Sequence, residues 1–237
     1  MLILAIDTAL DACAAAVLDT NAGQLIAAES QPMKRGHAEA LMPLIARVMK
    51  NAGLPFTALD RIAVTTGPGS FTGLRVGLSA ARGIALAAGK PAVGLTTLSA
   101  YAAPAVNANG ENPVMSAIDA RHGHVYYQAV SADGDALILP RVAPIEEALE
   151  ASRIGAPHLV GNAARILAER WPTHALPPSS VDAQAAPDIA WVAWLGAAAD
   201  PDIAPPRPYY LRSPDAKPSL DRPREDLPAQ TEPSATS

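Results

Sequence analysis

Thr65-Thr66-Gly67-Pro68-Gly69-Ser70-Phe71-Thr72-Gly73-Leu74-Arg75-Val76-Gly77 joins a β-branched run at 61–66 to a helical pattern that continues to Ala88, where Gly89 and Pro91 stop it. Strand, glycine-rich turn and long helix is the reading. Two interpretations of the turn stand side by side. Its glycines permit positive φ, and backbone amides opening the helix could cradle an anion through Gly67, Gly69, Ser70, Thr72, Gly73 and Arg75. Alternatively, the glycines only let the strand turn abruptly into a close-packed helix. A Walker phosphate loop is excluded, because Thr72 stands where its second glycine belongs and no lysine occurs between Leu54 and Gly89.

Within the helix, Gly73, Gly77, Ala81, Ala85 and Gly89 recur every four residues, a ribbon of small side chains that a second helix can approach closely. Packing against the chain's own sheet competes with that reading. Leu74, Leu78 and Ile84 supply another face, and a helix apolar on more than one side needs more than one neighbour. Arg75, Arg82 and the short length exclude a membrane span.

Upstream, apolar runs at 2–7 and 13–18 around a polar turn predict an N-terminal hairpin, with a third strand at 24–28. Leu41, Leu44, Ile45, Val48, Met49 and Ala52 recur at helical spacing and predict a helix over 37–52 stopped by Gly53. Downstream come a strand at 92–95, a short helix from Leu98 to Pro104 and a linker at 107–113. A second alternation follows: strands at 114–120 and 124–130 and near Leu137, a helix at 145–151, a strand at 158–161 and a helix at 163–171. After a proline-rich stretch at 172–187 a helix is predicted at 188–199, and the polar tail after Pro218 reads as disordered. The pattern is α/β in two halves, an N-terminal lobe at 1–104 and a C-terminal lobe at 105–217, followed by the tail at 218–237.

Hydrophobic residues make up 49% of the 237, but alanine supplies much of that and aromatics only 4%, so elements must approach closely to pack. The formal charge of -5 leaves no basic footprint for gripping RNA unaided. Cys13 is the single cysteine, which excludes an intrachain disulfide framework and is read as a buried structural residue. The start lacks a signal peptide's basic flank and cleavage site, so the expected location is cytoplasmic.

The stretch from Thr65 to Gly77 resembles the TsaB family, whose members carry T-x-G-P-G-S-F-T-G-L-R-x-G after a strand. Ile6-Asp7-Thr8, Arg35-Gly36-His37, Asp119-Ala120-Arg121, Val125-Tyr126-Tyr127, Tyr209-Tyr210-Leu211-Arg212 and Pro214-Asp215-Ala216-Lys217 extend the similarity over residues 1 to 217. The resemblance implies an actin-like ATPase (ASKHA) fold whose two lobes each hold a mixed sheet with flanking helices. It further implies a non-catalytic scaffold that forms a heterodimer with TsaD, acts with TsaE, and reaches tRNA only through the complex. The complex installs threonylcarbamoyl on the adenosine beside the anticodon. The docking surface is expected on the helices 37–51 and 72–88, through His37, Leu41, Leu44, Ile45, Val48, Gly73, Leu74, Gly77, Leu78 and Ala81, and a homodimer through the same helices is expected of the isolated chain. No cofactor is expected in the chain alone; ATP or ADP at the TsaD interface stays open.

Departures from catalytic relatives point the same way. TsaD holds its metal with a helical His-x-x-x-His pair, whereas His37 is followed four residues later by Leu41. His122 and His124 could share one side of a strand but lack a third ligand, His158 and His174 stand alone, and His124 replaces a glutamate frequent among relatives. Actin-like ATPases hold phosphate with a D-x-G turn. Here Asp7-Thr8-Ala9-Leu10 has no glycine, so Asp7 and Thr8 read as turn caps or vestigial contacts. The rival is an actin-like kinase or a glycoprotease-type peptidase, and neither finds a nucleophile, base or phosphate hairpin in the sequence. With an exposed ribbon, Gly77→Leu should leave a folded monomer that no longer binds TsaD.

Overall fold

The computed structural model describes residues 1–211 apart from 107 and 109. Arg212, the Pro214 to Lys217 motif and the tail from 218 lie outside the described residues, as do Asn107 and Asn109 in the linker. The N-terminal elements are β1 (Leu2–Asp7), β2 (Ala12–Asp19), β3 (Gln24–Pro32), α1 (His37–Ala52), β4 (Arg61–Gly67), α2 (Phe71–Ala88), β5 (Ala92–Thr96) and α3 (Thr97–Ala102). They are followed by β6 (Val114–Arg121), β7 (His124–Val130), β8 (Ala136–Pro144), α4 (Ile145–Ala148), β9 (His158–Val160), α5 (Ala164–Glu169), β10 (Ser180–Asp182) and α6 (Ile189–Ala198). None of the described helices is long and apolar enough to cross a membrane.

Two five-stranded sheets share one topology. The first runs β3-β2-β1-β4-β5, with antiparallel pairing through the hairpin and parallel pairing from β1 to β4 and β4 to β5. The second runs β8-β7-β6-β9-β10 with the same antiparallel and parallel pattern. β10 lies in the proline-rich stretch at 172–187, where no strand is expected. Its three residues are partly or fully exposed, so no buried period marks it.

Alternation along β1 assigns residues to opposite faces. Leu4 and Ile6 pack under α1 and α2 with Leu41, Leu44, Ile45, Val48, Leu78 and Ala81. Ile3 and Ala5 face the other way, onto Val192 and Ala193 of α6. The last helix therefore returns to the first sheet, although its position in the chain placed it in the 105–217 lobe. Small residues permit this: a Cβ on Gly196 would stand 2.2 Å from the Ala63 Cβ, so the helix backbone rests on the strand. Arg61 then donates from one guanidinium nitrogen to the carbonyls of Gly196 (2.9 Å), Ala197 (3.0 Å) and Ala199, satisfying the unpaired end of α6.

The second sheet packs one face on α4 and α5 through Met115, Val125, Ala148, Leu159 and Leu167. Its other face meets α3, where Leu98, Tyr101 and Ala102 join Val114, Ile118 and Val160 in a core shared by both lobes. The helix predicted at 145–151 is shorter in α form and continues as a 3-10 turn over Leu149–Ile154. Cys13 is fully buried in the first core, where burial pushes its thiol up to about 11.

Because α6 can lie on β4 only where no side chain intervenes, Gly196→Leu should lower stability by about 1–3 kcal/mol. The measurement is the urea midpoint of the full-length variant against wild type.

Candidate functional site

The hairpin turn after β1 and the glycine loop before α2 meet in one junction. Thr8 donates from Oγ1 to the Gly73 carbonyl at 2.7 Å, and the Ser70 amide donates to the Ala9 carbonyl at 2.7 Å. The fit has no slack: a Cβ on Gly69 would lie 2.3 Å from the Ala9 oxygen, on Gly73 2.1 Å from the Thr8 oxygen, and on Gly77 2.4 Å from Thr8 Oγ1. Gly67 adopts φ +108°, a conformation that excludes an ordinary side chain. Ser70 caps α2 by accepting from the Gly73 amide, and its carbonyl accepts from the Leu74 amide.

Of the residues read as a vestigial anion site, Asp7, Thr8, Gly67, Gly69, Ser70 and Gly73 do converge here. Thr8 meets Gly73, and Gly69 and Ser70 meet Ala9, while Asp7 bonds Thr65 and the Ala9 amide behind them. The Ala9 carbonyl occupies the mouth of the loop, where its negative end would repel an anion, and the loop amides of Ser70, Gly73 and Leu74 already have acceptors. Thr72 and Arg75 point away, exposed on the outside of α2.

Asp7 is wholly buried. Its Oδ1 accepts from Thr65 Oγ1 at 2.5 Å and from the Ala9 amide at 3.1 Å, while Oδ2 has no partner among the described residues. Burial pushes its carboxyl above the ordinary value, and the bonds from Thr65 and Ala9 with the charge of nearby His37 draw it back only in part. His37 is itself buried and holds the start of α1 to the turn, its Nε2 lying 3.1 Å from the Leu10 carbonyl.

The expected docking residues require correction. His37, Leu41, Leu44, Ile45, Val48, Gly73, Leu74, Gly77, Leu78 and Ala81 are all buried in the chain's own interior. The small ribbon of α2 lies against Thr8 and Val64, because the hairpin backbone needs that clearance. What α1 and α2 show to the outside is a different set. Met42 and Phe71 are each 49% exposed, and with Ala38, Val76 and Ala80 they line a mostly apolar groove of about 510 Å³, in which Arg75 is the one charged lining residue among the described residues. A second groove of about 390 Å³ adjoins it along Met42, Phe56, Gly83 and Ala87. The sequence does carry a signal for this face: Val76, Ala80, Gly83 and Ala87 follow helical spacing, out of phase with the ribbon.

The histidines do not assemble. His122 lies in the β6–β7 turn at φ 51°, beside Arg121 at φ 64°, and its carbonyl is 2.9 Å from His124 Nδ1. They form a turn rather than a matched pair along a strand. His158 is partly buried, which pushes its pKa down, and its Nδ1 lacks a partner among the described residues. Among the described residues no group of three His, Cys, Asp or Glu is placed to hold a metal ion.

Two lobes of one repeated topology, each a mixed sheet flanked by helices, define an actin-like ASKHA-type protein, here with its first hairpin closed onto the glycine loop. A family model described as TsaD, tRNA N6-adenosine threonylcarbamoyltransferase, matches residues 25–186. An Escherichia coli protein named tRNA threonylcarbamoyladenosine biosynthesis protein TsaB is 38% identical over 56% of this chain and 56% of its own length. An uncharacterized Mycobacterium bovis protein is 32% identical over 91% of this chain and 94% of its own. The crystal structure of a Pseudomonas aeruginosa protein described as similar to peptidase YeaZ superposes with a TM-score of 0.74 at 27% identity, covering 89% of this chain and 99% of that one. The chain belongs to the TsaB family, within the wider family that the transferase model describes. It spans just over half the length of the curated TsaB relatives it matches.

Two consequences follow at the junction. Gly77→Leu should fail to give a folded protein, rather than a folded monomer without its partner, because nothing separates α2 from Thr8; circular dichroism and gel filtration of the purified variant check this. Asp7, with its folded pKa raised, contributes stability that is present below the unfolded carboxylate value and lost as pH rises through the folded one. Asp7→Asn cannot titrate, so from about pH 4 upward the wild-type urea midpoint should fall relative to that of the variant.

Proposed function

We propose that this chain is a non-catalytic accessory subunit in the formation of threonylcarbamoyladenosine on tRNA, working by docking the outer face of α1 and α2 onto TsaD. The observation that carries the reading is the apolar groove between those helices, with Met42 and Phe71 half exposed over a core already complete beneath them. Monomeric proteins seldom leave such side chains together without a use for them.

The relatives supply the process. Named TsaB proteins take part in threonylcarbamoyladenosine biosynthesis by their descriptions, and the family model matching this chain is that of the transferase. A partner of the same fold would carry an equivalent helix pair, so the two pairs would pack as a four-helix bundle. Such a bundle needs to bury on the order of 1,600 Å² for a specific complex.

A scaffold role is supported at the junction. Phosphate chemistry needs an open, glycine-bearing hairpin with free amides, whereas here the turn closes on the loop and Asp7 is buried beneath it. In this role TsaE is a further partner, tRNA is held by the assembled complex in the cytoplasm, and the isolated chain pairs with its own copy through the same helices.

Met42→Glu puts a charge in the centre of the groove without touching the core. It should fold but be monomeric where the isolated wild type self-associates, lose co-purification with TsaD from the same organism, and abolish transfer to unmodified tRNA in an assay reconstituted with TsaD, TsaE and threonylcarbamoyl-adenylate. Retention of the complex would overturn the docking reading, and transfer by the chain without TsaD would overturn the non-catalytic one.

A further inference from the structure

The segment 204–211 crosses the end of the first sheet as a fixed strap. The Gly94 amide donates to the Ala204 carbonyl at 2.8 Å, the Tyr209 amide donates to the Thr66 carbonyl at 2.9 Å, and Arg82 donates from Nε to the Pro206 carbonyl at 3.0 Å. Clearance is built in for it. A Cβ on Gly94 would lie 2.9 Å from the Pro205 oxygen and 3.0 Å from Pro206 Cα, and one on Gly67 would lie 3.2 Å from the Tyr209 oxygen. Leu211 then packs into the core shared by the two lobes.

Those anchors hold the strap without help from Tyr210, whose ring is half exposed and lies with its centroid 6.0 Å from that of Phe71. Phe71 also carries the Arg75 guanidinium over its ring at 3.8 Å. Two aromatic rings and one cation thus form a cluster that is continuous with the α1–α2 groove, because Phe71 and Arg75 line both. Tyrosine and arginine on a rigid backbone are the residue types that carry most binding energy in protein interfaces, and a cation over an aromatic ring stays available to a carboxylate.

We propose that the strap extends the docking surface: Tyr210, held on Phe71 beside Arg75, is an anchor for the TsaD subunit, contacting an apolar side chain flanked by an acidic one on the partner's helix pair. This rests on the docking reading above and adds to it a contact from the far C-terminal side of the chain. Arg75, the charged residue among the described residues that line this mostly apolar groove, calls for an acidic neighbour in the partner.

The test is calorimetric titration of the full-length chain with TsaD, using wild type, Tyr210→Ser, Tyr210→Phe and Met42→Glu, with thermal melting of each variant alone. Tyr210→Ser should weaken binding roughly tenfold with an unchanged melting midpoint, Tyr210→Phe should bind as wild type, and Met42→Glu should not bind. If Tyr210→Ser binds like wild type while Met42→Glu fails, the strap is no anchor and the docking reading stands. If Tyr210→Ser impairs only self-association measured by sedimentation, the anchor serves a second copy and the proposal is overturned. If wild type itself does not bind, the docking reading fails first.

Discussion

The architecture depends on how closely the turn after β1 approaches the first turns of α2. A hydroxyl-to-carbonyl bond from Thr8 to Gly73 and an amide-to-carbonyl bond from Ser70 to Ala9 tie the two segments, and Gly69, Gly73 and Gly77 leave no atom between them. The positions of β4, of α2 and, through His37 and the Leu10 carbonyl, of α1 all follow from this contact. A buried aspartate sits behind it with one oxygen satisfied and the other without a partner among the described residues. Such a group is held neutral more readily than charged.

Closing this junction separates the chain's inner and outer surfaces by function. In an actin-like fold the hairpin and the loop are where phosphate would be approached, and here each covers the other. The same closure brings α1 and α2 together over a finished core, so the apolar side chains left on their outer side are surplus to folding. Docking, in the proposed role, uses that surplus. The strap brings Tyr210 to the end of the same face from more than a hundred residues away, a juxtaposition that depends on Gly94 and Gly67 making room for its backbone.

The lobes are joined by two helices that do not follow the order of the chain. α3 ends the first half and serves as a floor for the second sheet, while α6 comes after the second sheet and covers the first. Arg61 fastens the end of α6 through three carbonyls. The strands of the first sheet precede residue 104 and those of the second follow it, while the cores on both sides draw helices from across that position.

Period and punctuation in the sequence determined most of the elements: 3.6-residue spacing marked α1 and α2, alternating and β-branched runs marked the strands, and glycine with proline ended them. The glycine loop between β4 and α2 was legible because its residue types restrict the backbone locally. Only tertiary structure decided which face of α2 looks inward. Gly73, Gly77 and Ala81 and, on the other side, Val76, Ala80 and Gly83 are equally good stripes on paper, and a spacing of four says that a surface is smooth without saying what touches it. The clearance demanded by Thr8, some 65 residues earlier, selects the first stripe for the interior and leaves the second outside. The return of α6 to β1 and the meeting of Tyr210 with Phe71 are of the same kind, since contacts between distant residues depend on shape and local periodicity does not carry it.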